Sequence, residues 1–139
     1  MMQRPEIKEL SNIEIFKPQS TRLDNGVDLK SIGIGDQPVS RLDIIFEGGR
    51  CDGRNQTVSE MLSAILREGT TSLNAQEIAE ALDYHGAWLG CDASSHNATL
   101  SLYSLNRNFE KVVPILADIV MNPSFPEQEL SNLKSLAAN

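Results

Sequence analysis

Histidine occurs twice in this chain, cysteine twice and tryptophan once, and aromatic residues make up only 5% of it. Two cysteines, Cys51 and Cys91, are too few for a disulfide framework and lack the close spacing of a thiol metal site. They read as two reduced thiols of a cytoplasmic protein rather than as one bridge. Basic residues are also scarce, 12 against 19 acidic, so the net charge is −7. That balance lacks the basic patch by which proteins neutralise a phosphate backbone, and it argues against a nucleic-acid partner. Long apolar runs are missing as well. The most apolar stretch, Val112–Met121, is interrupted by Pro114 and Asp118 and is too short to cross a bilayer. The opening "MMQRPEIKEL" has no apolar core of a signal peptide.

What remains is a chain of 139 residues with 40% hydrophobic and 22% charged residues, enough apolar material for one folded domain. Asp24-Asn25-Gly26 places a turn between two extended segments in "RLDNGVDLKSIGIG", the pattern of a hairpin. "VSRLDIIFEGG" (39–49) alternates loosely through Val39, Leu42, Ile44 and Phe46 and ends in a glycine pair, so it reads as a strand followed by a turn.

Helices follow, each with punctuation. Thr57 and Glu60 form a Thr-x-x-Glu capping box ahead of an apolar stripe, Val58, Met61, Leu62, Ile65 and Leu66, and Gly69 is the stop. Glu60 reads first as that capping residue. Ser63 and Ala64 would then lie on the polar side of the helix. A second helix opens at Asn74 with Glu77 completing its box and Leu73 placed to staple onto Ile78; Gly86 ends it. Two strands are expected at 87–93 and 97–105, joined by a turn at Ser94-Ser95-His96. Trp88 is expected in the core or at an interface. A third helix over 107–121 should be weakened or bent by Pro114. A last one starts at Pro126 and is still running at Asn139, which reads as a fragment of a longer protein. Strands, helices, a hairpin and helices again, without βαβ alternation, predict an α+β fold: an antiparallel sheet covered by helices on one face. Residues 1–19 read as an N-terminal extension and 20–139 as the domain.

Three segments carry a resemblance: "RLDNGVDLKSIGI", "LREGTTSLNAQEIAEALDYHGAWL" and "NFEKVVPILADIVMNPSFPEQEL". In this order and spacing they resemble the N-terminal domain of the pitrilysin/insulinase family of zinc metallopeptidases, which includes the mitochondrial processing peptidase. Active members carry an inverted zinc motif, His-x-x-Glu-His, on the helix before the Gly-Thr that matches Gly69-Thr70. Two imidazoles four residues apart share a helix face and hold one Zn²⁺, and the glutamate activates its water. Counting back from Gly69, the resemblance places these roles on Glu60, Ser63 and Ala64. No imidazole stands there, Ala64 has no lone pair and Ser63 is a poor base. The family's third ligand, a glutamate, would fall just beyond Asn139. The resemblance therefore implies a segment without catalytic residues, without a metal ligand set and without a cofactor of its own, in a family whose active relatives use zinc.

The histidines do not replace the motif: His85 sits at a helix end, where an imidazolium is favourable, and His96 sits in a turn. Cys91 has no catalytic spacing to either. The resemblance also implies a peptide-binding edge, because substrate adds to the family's sheet as an extra strand. The matching strand is Trp88–Ala93, with Leu89, Gly90 and Cys91 as the binding residues; where active members carry Asn-Ala, this chain has Gly90-Cys91. Three functions stay open on these grounds. One is a non-catalytic partner subunit that helps an active family member, or a further copy of itself, to form a peptide-degrading chamber and bind peptide. The second is an active metallopeptidase whose chemistry lies outside this segment. The third is a structural core subunit of a larger complex. No nucleic-acid or membrane partner is expected.

Overall fold

The computed structural model describes residues 15–51 and 56–137. They fall into two compact units that meet in sequence between Gln37 and Pro38. The first is a hairpin of β1 (Gln19–Arg22) and β2 (Asp28–Ser31), paired antiparallel with Arg22 opposite Asp28. Its turn lies where the sequence placed it. Gly26 takes φ +87°, open to glycine at little cost, and Val27 N donates to Asn25 Oδ1 at 3.1 Å.

The second unit holds β3 (Val39–Glu47), α1 (Gln56–Ile65), α2 (Ala75–Tyr84), β4 (Trp88–Ala93), β5 (Asn97–Leu105), α3 (Phe109–Met121) and α4 (Glu127–Ala137). The fold is α+β with antiparallel strands, as expected, but the described strands form two sheets rather than one. In the second unit the strand order is β3-β5-β4, which makes β4 an edge. Register aligns Leu42, Leu102 and Leu89 in one row and Ile44, Leu100 and Cys91 in the next. Because side chains alternate along a strand, these rows share one face. Onto it pack Ile78 and Leu82 of α2 and Val112, Leu116 and Ile119 of α3. Leu102, Val112 and Ile119 are completely buried, each stabilising the fold by about 1.5–3 kcal/mol relative to an exposed side chain. The core is aliphatic.

Local signals acted as the sequence predicts around α2. Asn74 caps it, accepting from Glu77 N at 3.0 Å, while Glu77 Oε2 accepts from Asn74 N at 2.8 Å. Leu73 packs against the core cluster that contains Ile78. At the other end Gly86 has φ +60° and donates to Asp83 O, and Ala87 N donates to Leu82 O, both at 2.9 Å, which closes a Schellman motif. The third helix differs in its first turn: 106–108 form a 3₁₀ turn and the α-helix begins at Phe109. It runs through Pro114 without a break. The lost N–H removes one helical bond, but Val112, Leu116 and Ile119 on either side remain buried.

Helix α1 departs from the expectation. It starts at Gln56, so Thr57 lies inside it, and the Thr57 side chain lies outside the described residues. Its buried positions are Ser63 and Ile65, whereas Val58 and Leu62 of the supposed inward stripe are 58% and 44% exposed. Among the described positions, Ser63 from the side that reads as polar is therefore buried together with Ile65 of the apolar stripe, while Glu60 stays exposed. Small residues allow this. Ser59 Oγ donates to Gly49 O at 3.0 Å and Ser63 Oγ to Ser59 O at 2.9 Å, so both hydroxyls are satisfied without water.

Candidate functional site

The approach of α1 to the sheet begins at the glycine pair after β3. Gly48 N donates to His96 O, Arg50 N to Ser94 O and Cys51 N to Ser95 O, which ties this segment to the β4–β5 turn. Gly49 passes so close that an added Cβ would lie 2.5 Å from His96 N and 2.6 Å from Ser94 O. Only glycine fits, and Gly49 O accepts from Ser59 Oγ of α1 at 3.0 Å.

On α1 the three positions to which the resemblance assigns the zinc motif are engaged within the fold or lack a donor. Glu60 Oε1 accepts from Arg50 Nη1 at 3.1 Å. Ser63 is 7% exposed and its hydroxyl is bound to Ser59 O. Ala64 offers no ligand atom. Arg50 was missed in the sequence, since a pair ten residues apart across a turn has no local signature. This donor set does not fit zinc. The single carboxylate is neutralised by a guanidinium, and the other two positions supply no imidazole. Among the described residues no group of three His, Cys, Asp or Glu side chains converges as a metal site. His85 caps α2, packs edge-on against Tyr84 at 5.0 Å and accepts from Asn108 Nδ2 through its carbonyl. His96 sits in the β4–β5 turn.

The second set of expected residues, Leu89, Gly90 and Cys91, lies on β4, against which α1 packs. The structure therefore brings the two sets to neighbouring elements. On one side β4 pairs with β5; its other side pairs with no described strand. Leu89 is buried in the core and Cys91 is half-buried on the same face. Burial, with the Asp92 carboxylate adding to it and Arg67 opposing, pushes the Cys91 thiol up to about 11. At neutral pH it is a protonated, unreactive thiol.

Gly90 faces the other way, under Trp88. An added Cβ there would lie 2.6 Å from Trp88 Cη2. Trp88 is not in the core but 58% exposed on the sheet face opposite the helices, where it packs against Tyr103 at 5.3 Å. The Arg41 guanidinium lies over the Tyr103 ring at 5.0 Å and binds Asp43 Oδ1 at 2.8 Å. Asp43 Oδ1 also accepts from Ser101 Oγ at 2.7 Å. Burial pushes the Asp43 carboxyl up, but the bonds from Arg41 and Ser101 outweigh it and hold the group below its ordinary value. Arg41 is raised, chiefly by that same bond. This row across all three strands was not foreseen. Its trace in the sequence is the two-residue spacing of Arg41 and Asp43, which says nothing about what lies opposite.

With this geometry in view, comparison with known proteins identifies the class. The family model described as Insulinase (Peptidase family M16) matches residues 37–138, and the chain belongs to that family. It is similar to the mitochondrial-processing peptidase subunit alpha of Rattus norvegicus, 23% identical over 129 residues, which cover 91% of this chain and 25% of that protein. It is also similar to a Helicobacter pylori protein described as non-peptidase homolog YmxG, 24% identical over 100 residues, 70% of this chain and 23% of the relative. Among solved structures, the peptidase M16 inactive domain from Pseudomonas fluorescens superposes with a TM-score of 0.79 at 27% identity, over 86% of this chain and 30% of that one. The chain thus spans about a quarter of the length of these two relatives. No helix among the described residues is long and apolar enough to cross a membrane.

Proposed function

We propose that this chain is a non-catalytic member of the M16 family, acting as the partner subunit of a zinc-bearing family member in a peptide-degrading chamber and offering its β4 edge to peptide. The observation that carries the first half is the state of α1. Glu60 is held by Arg50, Ser63 is buried and bonded to a backbone carbonyl, and Ala64 has no donor. A helix that spends its polar positions on its own packing is a scaffold. Two relatives bear descriptions in keeping with this, one as a peptidase subunit and one as a non-peptidase homologue. The second half is supported by β4 being an edge whose unpaired backbone groups can accept a further strand. Residence in the cytoplasm belongs to the same proposal and is supported by two cysteines that form no disulfide.

The test is zinc content and peptidase activity of the full-length protein, alone and mixed with a family member that carries His-x-x-Glu-His. Activity that appears or rises only in the mixture, with zinc following the partner, is the expected result. Stoichiometric zinc and turnover in the isolated protein would overturn the reading. Absence of any effect on the partner would leave a structural role in its place.

A further inference from the structure

We propose that Asn25-Gly26, at the tip of the β1–β2 hairpin, is a site of spontaneous backbone cyclisation, which converts Asn25 to isoaspartate and aspartate with water as the only co-reactant. It stands on the hairpin alone, apart from the peptide-binding reading above.

Cyclisation needs the backbone nitrogen of one residue to reach the side-chain carbonyl carbon of the residue before it. A side chain on the attacking residue obstructs that approach, and Asn25 is the only asparagine in the chain that glycine follows. Around Gly26 there is room: an added Cβ would meet only Arg22 Nη2, at 3.9 Å. The reacting atoms are neighbours in one chain, so the step needs no encounter and gains from proximity. The Asn25 side chain is also folded back on its own backbone, because Oδ1 accepts from Val27 N at 3.1 Å. When Gly26 N adds to Asn25 Cγ, negative charge gathers on that Oδ1, and the Val27 N–H is already aimed at it.

The closed turn holds the reaction back. Gly26 N donates to Leu23 O at 2.9 Å, and Leu23 N donates to Val27 O at 2.8 Å across the same turn. Gly26 N must give up its proton before it attacks, so the turn has to open first. Little opposes that opening. A two-stranded hairpin by itself is marginally stable, every residue of β1 and β2 is exposed, and the Arg22–Asp28 ion pair, 3.6 Å long, is exposed at both ends. Once the turn is open, hydroxide takes the Gly26 N–H proton and the bond from Gly26 N to Asn25 Cγ forms. The bond from Cγ to Nδ2 then breaks, and the nitrogen leaves as ammonia with a proton from water, which gives a five-membered imide. Water opens the ring at either carbonyl. Opening at Cγ gives aspartate, whereas opening at the backbone carbonyl leaves the chain running through Cβ and Cγ as isoaspartate. That route is one backbone atom longer, so Arg22 no longer meets Asp28 in the register of the closed hairpin. Either product adds a carboxylate beside Asp24.

The full chain would be held at physiological temperature in mildly alkaline buffer and digested at intervals. Mass spectrometry, with isoaspartate-specific methyl labelling, would place each converted residue. Conversion should appear at Asn25 before Asn74 or Asn97, which alanine follows, with isoaspartate among the products. Its rate should rise with hydroxide concentration and increase several-fold in urea, where the turn is open. Asn25→Gln, whose longer side chain would have to close a six-membered ring, should lose the signal at this position. Conversion in the native chain no earlier at Asn25 than at Asn74 or Asn97 would overturn the site. A native rate equal to the rate in urea would overturn the restraint by the turn.

Discussion

Arg50 Nη1 lies 3.1 Å from Glu60 Oε1, so a side chain that precedes α1 pairs with the one acidic group among the three α1 positions to which the resemblance assigns the zinc motif. Both partners are substantially exposed, and such a pair contributes about 0.2–1 kcal/mol to stability. Its significance is chemical. A carboxylate already holding a guanidinium is a poor first ligand for a dication, and no imidazole stands beside it.

Ser63 supplies a sharper test of how α1 lies. Since its side chain is buried and its hydroxyl is bound to Ser59 O, Ser63→Ala should cost about 1 kcal/mol, the net worth of one hydrogen bond. Ser63→Glu, which writes back the family's catalytic residue type, would bury an unpaired charge and should cost about 3 kcal/mol or more. Urea unfolding of the two variants checks this. Equal stabilities would mean that Ser63 faces solvent.

Gly49→Ala is expected to destabilise by about 1–3 kcal/mol through overpacking. The new methyl would meet backbone atoms of the β4–β5 turn at 2.5–2.6 Å, and backbone cannot rotate away as a side chain could. Gly33→Ala, which meets nothing within 4 Å, is the control for a glycine without such a contact. A difference in denaturation midpoint between the two variants measures that contact.

Asp43 makes the outer sheet face sensitive to acid. Its folded value lies below the ordinary carboxylate value, so its contribution is present above the unfolded value near about 4 and is lost as pH falls through the folded value. Asp43→Asn should therefore lower stability at neutral pH and flatten the loss between neutral and acid conditions. Trp88 emission should shift with it, because Arg41 loses its anchor beneath Tyr103 and Trp88. Unfolding curves at a series of pH values, read by tryptophan fluorescence, would show both effects or neither.

Cys51 is exposed, while Cys91 is half-buried with its thiol pushed up to about 11. An aromatic disulfide reagent at mildly alkaline pH should modify one thiol promptly and the second slowly, with the slow site accelerating in denaturant. Mass spectrometry of the partly labelled protein should place the fast label on Cys51. Prompt labelling of Cys91 in the native protein would contradict its packing.

Much of this architecture was legible in the sequence because its causes are local. The hairpin turn needs Asn25 and Gly26 within four residues. The cap of α2 needs Asn74 and Glu77, and its end needs Gly86. The bounds of β5, residues 97–105, follow from the run between the Ser94-Ser95-His96 turn and the helix expected from residue 107. The helical spacing of α3 follows Val112, Leu116 and Ile119 into the core, whereas Val39 and Phe46 of the β3 alternation are exposed. Tertiary structure alone decided what depends on distant partners. Ser63 is buried because α1 packs against β4, while Leu62, which hydrophobic periodicity would turn inward, is 44% exposed. Arg50 met Glu60 across a turn with no sequence signature. Trp88 came to the outer face because β4 pairs with β5 in a register that sets it beside Tyr103. Periodicity and capping act over one or two turns of chain, whereas the face a helix presents and the neighbour a strand acquires are chosen by packing, and packing is a property of the whole fold.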